Sequence, residues 1–70
     1  MTTAQDAKGP SIAELQRLIR EKTNLEFILN NGKKEHGTLK WFDEQGFCLQ
    51  QENGTITLLR NGVIGYRPKP

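Results

Sequence analysis

The chain has 70 residues, a net charge of +2 and 34% hydrophobic content. It is one domain at most, and a domain this small buries only ~60% of its unfolded surface, so oligomerisation, disulfides or a metal usually complete it. Its single cysteine, Cys48, excludes an internal disulfide, Cys48 and His36 are too few for a zinc site, and no apolar run has membrane-spanning or signal-peptide character. Self-association is therefore the expected remedy. The lone cysteine suits a reducing cytosol, and the mild charge leaves any basic surface to local clustering.

Met1 to Pro10 is small and polar, with no apolar period, and reads as a disordered tail, which makes 11–68 the folded domain. Ser11 opens a helix through the capping-box pair Ser11 and Glu14. Ile12, Leu15, Leu18 and Ile19 form its apolar stripe. The helix ends near Lys22 and is too short to stand alone, so the stripe must cover something apolar. Arg17, Arg20 and Lys22 supply either a solvated face or a basic edge.

Five short strands follow. Leu25, Phe27 and Leu29 alternate with Glu26, Ile28 and Asn30 in the first. Asn31-Gly32 is a tight-turn dipeptide, because both residues tolerate positive φ. Lys34 to Asp43 is the long second strand, with Gly37 as its expected bend or bulge. Turns at Glu44-Gln45-Gly46, Glu52-Asn53-Gly54 and Arg60-Asn61-Gly62 lead into Phe47 to Gln51, Thr55 to Leu59 and Val63 to Arg67. Pro68 and Pro70 end regular structure. Repeated glycine turns between alternating strands predict a small antiparallel barrel.

Several side chains have two readings. Trp41 and Phe42 stack bases, or serve as core and subunit contacts. Asp43 orients a base, or accepts the amides of the following turn. His36 is a solvated histidine before it is a ligand. Cys48, between Phe47 and Leu49, is a small buried hydrophobe. Catalysis has no support: there is no nucleophile–base pair, no carboxylate pair with a credible cleft and no phosphate-binding glycine loop. A barrel this small fills with its own side chains.

One capped helix, then five strands with the second interrupted by glycine, and the run Asn31-Gly32 … Gly37-Thr38-Leu39-Lys40-Trp41-Phe42-Asp43, resemble the first motif of the Sm and Sm-like proteins. Leu59-Arg60-Asn61-Gly62-Val63-Ile64 resembles the second. Pro10-Ser11-Ile12, Gly37 to Trp41 and Gly65-Tyr66 are most similar to the cyanobacterial branch of bacterial Hfq, and the resemblance covers Pro10 to Pro68. It implies a mainly β Sm-like fold: an N-terminal helix, then a strongly bent five-stranded antiparallel barrel. It also implies a cytoplasmic homohexameric ring that binds RNA in post-transcriptional regulation, without cofactor, metal or membrane.

The same resemblance assigns candidate residues. Arg60, Asn61, Asp43 and Gln45 fall at the proximal pore that holds uridines. Ile28, Gly32, Lys34 and His36 fall on the distal face that holds adenines, and Arg17, Arg20 and Lys22 on the lateral rim. Thr57, Leu59, Ile64 and Tyr66 fall at the subunit interface, where the fourth strand of one subunit meets the fifth of the next. The chain departs from the family at the contacts themselves. Arg60-Asn61 stands where classical Hfq has Lys-His, and Phe42-Asp43-Glu44-Gln45 where it has Phe-Asp-Gln-Phe. Ile28 replaces the tyrosine that stacks adenine. A lost base–aromatic stack removes ~1–3 kcal/mol per base. The expectation is thus an RNA-binding ring with weakened sites for uridine-rich or adenine-rich single strands. The alternative is a ring acting through a protein partner, such as a component of the type IV pilus extension motor.

Overall fold

In a computed structural model that describes residues 11–69, the first element is helix α1 (Ile12–Glu21). The expected tail over 1–10, and Pro70, lie outside the described residues. The Ser11 hydroxyl oxygen accepts the Glu14 N–H at 3.1 Å, as an N-cap should. The helix stops at Lys22, which adopts a left-handed φ of 53° and donates its N–H back to the last turn. Glycine is the usual residue there, and a side chain in that conformation costs roughly 1–2 kcal/mol. Leu15 and Leu18 are buried and Ile19 packs against them, but Ile12 is 64% exposed. The stripe is therefore shorter than its spacing predicts: the first turn overhangs the core.

Five antiparallel strands follow: β1 (Asn24–Leu29), β2 (Lys34–Phe42), β3 (Gly46–Gln51), β4 (Gly54–Leu59) and β5 (Val63–Pro68). A single 3-10 turn, Arg60–Gly62, links β4 to β5. The strand order is β4-β3-β2-β1-β5, so β4 and β5 are the two edges of one bent, unclosed sheet, and α1 lies against β2. Inside the bend, Leu25, Phe27, Leu39, Phe47, Leu49 and Leu58 join Leu15 and Leu18 in the core. Phe27 is its centre, with ring centroids 5.2 Å from Phe47 and 5.4 Å from Tyr66. Cys48 is buried, as its neighbours imply. Trp41 is not core: it stays 45% exposed, while Phe42 packs against the core's rim.

The turn and the bend work differently from the simplest reading. In Asn31-Gly32 only the glycine has positive φ, 87°. Asn31 contributes its side chain instead, accepting the Lys33 N–H at 2.9 Å. Nor is Gly37 a bulge. The β1–β2 register runs unbroken through it, from Asn24 opposite Thr38 to Ile28 opposite Lys34. The irregularity in β2 falls between Leu39 and Trp41, on the β3 side, where Lys40 is the extra residue. Gly37 is required by proximity, since a Cβ there would sit 2.5 Å from the carbonyl oxygen of Gln50 on β3.

Candidate functional site

The residues expected at a proximal pore gather at one end of the sheet, around the β2–β3 turn. Asp43 holds that turn: its Oδ1 accepts the N–H groups of Gln45 at 2.8 Å and Gly46 at 2.9 Å. Of its two readings, the turn-holding one is the geometry observed. Arg60 is built into the same corner. Its backbone N–H donates to the Gln45 carbonyl at 2.8 Å and its Nε to the Asp43 carbonyl at 2.8 Å. Its guanidinium carbon lies 4.8 Å from the Phe47 ring centroid, a cation–π contact. Arg60 is thereby oriented, with its two terminal nitrogens left for a ligand.

Asp43, Gln45 and Arg60 line one open cavity of about 820 Å³, together with Ile12, Phe42 and Glu44. The exposed first turn of α1 thus forms a wall of the site. Ile12 has the spacing of the helix's apolar stripe, yet it lines this cavity and not the core. Asn61 does not line this cavity. It is exposed on the 3-10 turn, where its carbonyl accepts from the Asn30 side chain at 3.4 Å. The residues expected at a pore are therefore one oriented cation and one structural carboxylate beside the apolar Phe42 and Ile12, with Asn61 outside the cavity.

On the opposite, outer face of the sheet, Ile28 and Lys34 stand opposite each other across β1 and β2, and His36 stands opposite Glu26. Gly32 occupies the turn at the end of these strands. His36 is not simply solvated: its Nε2 lies 3.1 Å from Oε2 of Glu26. The other oxygen of Glu26 accepts from Arg67 Nε at 2.7 Å. Glu26 is nevertheless only 11% exposed at its side chain. These hydrogen bonds, Arg67's first and His36's second, hold its carboxyl below the ordinary value of 4.5. A depressed folded pKa contributes stability that is present above the unfolded value and lost as pH falls through the folded one. Acid should therefore weaken the fold from about pH 4.5 downward, and Glu26→Gln should flatten that limb of a denaturation-midpoint profile. An unchanged acid limb would show that Glu26 is not its source.

The rim residues divide. Arg17 pairs with Glu21 at 3.3 Å, an exposed (i, i+4) bridge of little energetic weight. Arg20 is exposed, and Lys22 lines a polar cleft with Asn24, His36, Thr38, Gln50 and Lys69. At the sheet edges, Leu59 is 60% and Ile64 70% exposed, and Thr57 is exposed on β4. Tyr66 faces inward on Phe27, where burial and the Glu14 carboxylate push its phenol up to about 12. Among the described residues no group of acidic, histidine or cysteine side chains is placed to hold a metal. No helix among them is long and apolar enough to cross a membrane.

Comparison with known proteins bears on this geometry. A family model described as "Hfq related" matches residues 9–68. No curated protein matches the chain. Among solved structures, an Hfq protein from Anabaena sp. superposes with a TM-score of 0.77 at 28% identity, over 86% of this chain and 97% of that one. A second Hfq, described as a pleiotropic translational regulator, gives a TM-score of 0.80 at 13% identity, over 89% and 94%. The second is a likeness of fold alone. The first agrees with the sequence resemblance to the cyanobacterial branch.

Proposed function

Because the chain belongs to the Hfq-related family, we propose that it assembles as a homohexameric, RNA-binding ring acting in post-transcriptional regulation in the cytoplasm. The observation that carries the pore assignment is the fixed Arg60, held by Asp43 and Phe47 on a cavity it lines together with Phe42 and Ile12. A phosphate or a uracil edge meets the free guanidinium nitrogens there, and Asn61 offers an amide beside them. Gln45 offers no stacking surface, so each site is weak and the sixfold repeat supplies avidity. The ring itself is favoured by the two unpaired edges, β4 and β5, and by the exposed Leu59 and Ile64 beside their junction. A strand edge of this kind invites pairing, and a closed ring removes it.

The test is a titration of short uridine-rich RNA into the intact ring. Arg60→Ala with Asn61→Ala should weaken binding and flatten its salt dependence. The reverse pair, Gln45→Phe with Asn61→His, should strengthen uridine binding by about one stacking contribution, ~1–3 kcal/mol. If neither pair moves the affinity of an assembled ring, the cavity is not its RNA site. A second reading, in which a protein partner docks on the ring, is favoured by exposed Trp41 and Ile12. It takes precedence if the intact wild-type ring binds neither uridine-rich nor adenine-rich strands.

A further inference from the structure

Three of the glycine turns that punctuate the strands are Asn-Gly pairs: Asn31-Gly32, Asn53-Gly54 and Asn61-Gly62. This dipeptide is chemically labile. Glycine has no side chain to shield its amide nitrogen, so that nitrogen reaches the carboxamide of the preceding asparagine. All three asparagines are exposed, and at each of the three glycines nothing lies within 4 Å of where a Cβ would stand. Access therefore does not separate the pairs, but hydrogen bonding does.

The first pair is tied down at both reacting groups: Gly32 N–H donates to the Leu29 carbonyl at 2.9 Å, and Asn31 Oδ1 accepts the Lys33 N–H at 2.9 Å. The third is pinned by Asn30, which donates its N–H to the Gly62 carbonyl at 2.9 Å and its side-chain amide to the Asn61 carbonyl at 3.4 Å. The second is held only at its flanks. Gln50 Nε2 donates to the carbonyls of Gln51 at 2.9 Å and Gly54 at 3.2 Å, and among the described residues no hydrogen bond reaches the Asn53 carboxamide. Glu52 and Asn53 alone link β3 to β4, yet Lys22 is the only non-glycine with positive φ among the described residues. Two-residue links that follow the strand twist need positive φ, and others splay the strands. The tip of this hairpin therefore opens at small cost. We propose that Asn53 deamidates spontaneously and selectively, which makes the β3–β4 hairpin tip a self-modifying site at the head of edge strand β4.

The Gly54 nitrogen gives its proton to solvent base and attacks Cγ of Asn53. A C–N bond forms, the Cγ–Nδ2 bond breaks, and the side-chain nitrogen takes a proton from water and leaves as ammonia. The cyclic succinimide then takes up one water at either of its carbonyls and opens to aspartate or isoaspartate. Water is the only co-reactant. Both products place a new negative charge beside Glu52, in a cleft lined also by Glu35, His36, Lys22 and Lys69. Isoaspartate further inserts a methylene into the main chain just before Gly54. That displaces the Gly54 carbonyl from Gln50 and the Gln51–Gly54 pair that begins the β3–β4 ladder. Since β4 is an edge of the sheet, isoaspartate at its head also loosens assembly. This last consequence rests on the ring reading above, and the chemistry does not.

The experiment ages the purified full chain at mildly alkaline pH and physiological temperature and follows each asparagine by peptide mapping and mass spectrometry. Asn53 should convert about ten-fold faster than Asn31 or Asn61, the factor expected for freeing one or two fewer hydrogen bonds. In urea the three rates should converge, because the fold is what separates them. Asn53→Gln, whose longer side chain closes the ring far less readily, should remove the fast phase. Equal rates in the folded chain, or a faster Asn31 or Asn61, overturn the site, as does a preference for Asn53 that persists in urea. Native mass spectrometry of the aged sample should find isoaspartate at position 53 depleted from rings relative to free subunits. An even distribution overturns the effect on β4. A fresh wild-type chain that never assembles overturns the ring reading instead, and the rates at the three pairs still decide the site.

Discussion

Ile64→Asp, or Leu59→Asp, is expected to leave a folded monomer in place of the proposed ring. Both side chains are large, apolar and mostly exposed in the single subunit, at 70% and 60%. They flank the 3-10 turn that joins the two edge strands. Burying one such side chain contributes about 1.5–3 kcal/mol. An aspartate in its place forfeits that and adds an unpaired carboxylate to a closed interface. The loss recurs at every contact of a symmetric ring. Neither residue belongs to the core, so the subunit itself should keep its circular dichroism spectrum. Sedimentation or native mass spectrometry at micromolar concentration reads the outcome. Thr57→Pro should have the same effect by removing a donor from β4. Ile64→Pro is a weaker test, because Ile64 falls where the β1–β5 register shifts and a bulge accommodates proline. A wild-type chain already monomeric at that concentration would remove the ring from the proposed function.

The order of elements was legible because each was marked locally. A serine cap with an i, i+3, i+4 stripe gives the helix, and alternation between glycine turns gives the strands. What was hidden depended on register, which no local signal states. Glu26 read as an ordinary outward residue of an alternating strand. Only pairing with both His36 and Arg67 shows that it is buried and doubly bonded. Arg67 follows the Gly65-Tyr66 pair at the strand's end, and nothing in the sequence marks its partner as Glu26. Lys40, the bulge residue, lies in a run that alternates well enough to pass as regular. Ile12 has the right spacing for the core but sits one turn beyond it, and so lines the cavity beside Arg60 instead. Arg60 could be singled out by its place in the second motif. Its anchoring by the Asp43 carbonyl and the Phe47 ring follows from the closeness of two distant turns.

Gly37→Ala should be among the most damaging single-methyl changes in the β-sheet. The added Cβ would lie 2.5 Å from the Gln50 carbonyl oxygen and 3.2 Å from its carbon. Both are backbone atoms of β3, so no rotamer change relieves the clash. Either β3 moves away from β2, breaking the ladder that runs from Thr38 opposite Gln50 to Phe42 opposite Phe47, or β2 loses its curvature over Leu49. Overpacking of this kind costs about 3 kcal/mol at the upper end of its usual range. In a domain of this size that lowers the melting temperature by on the order of 10 °C or more. The comparison is internal. Gly62→Ala meets nothing within 4 Å and should melt close to wild type, which removes any generic effect of replacing glycine. Gly46→Ala, whose Cβ would meet the Leu58 carbonyl oxygen at 2.6 Å, should behave like Gly37→Ala. Melting must be compared at one protomer concentration, since assembly adds to apparent stability. If Gly37→Ala melts with Gly62→Ala, β3 has slack to retreat, and the tight bend of β2 is set by the Lys40 bulge alone.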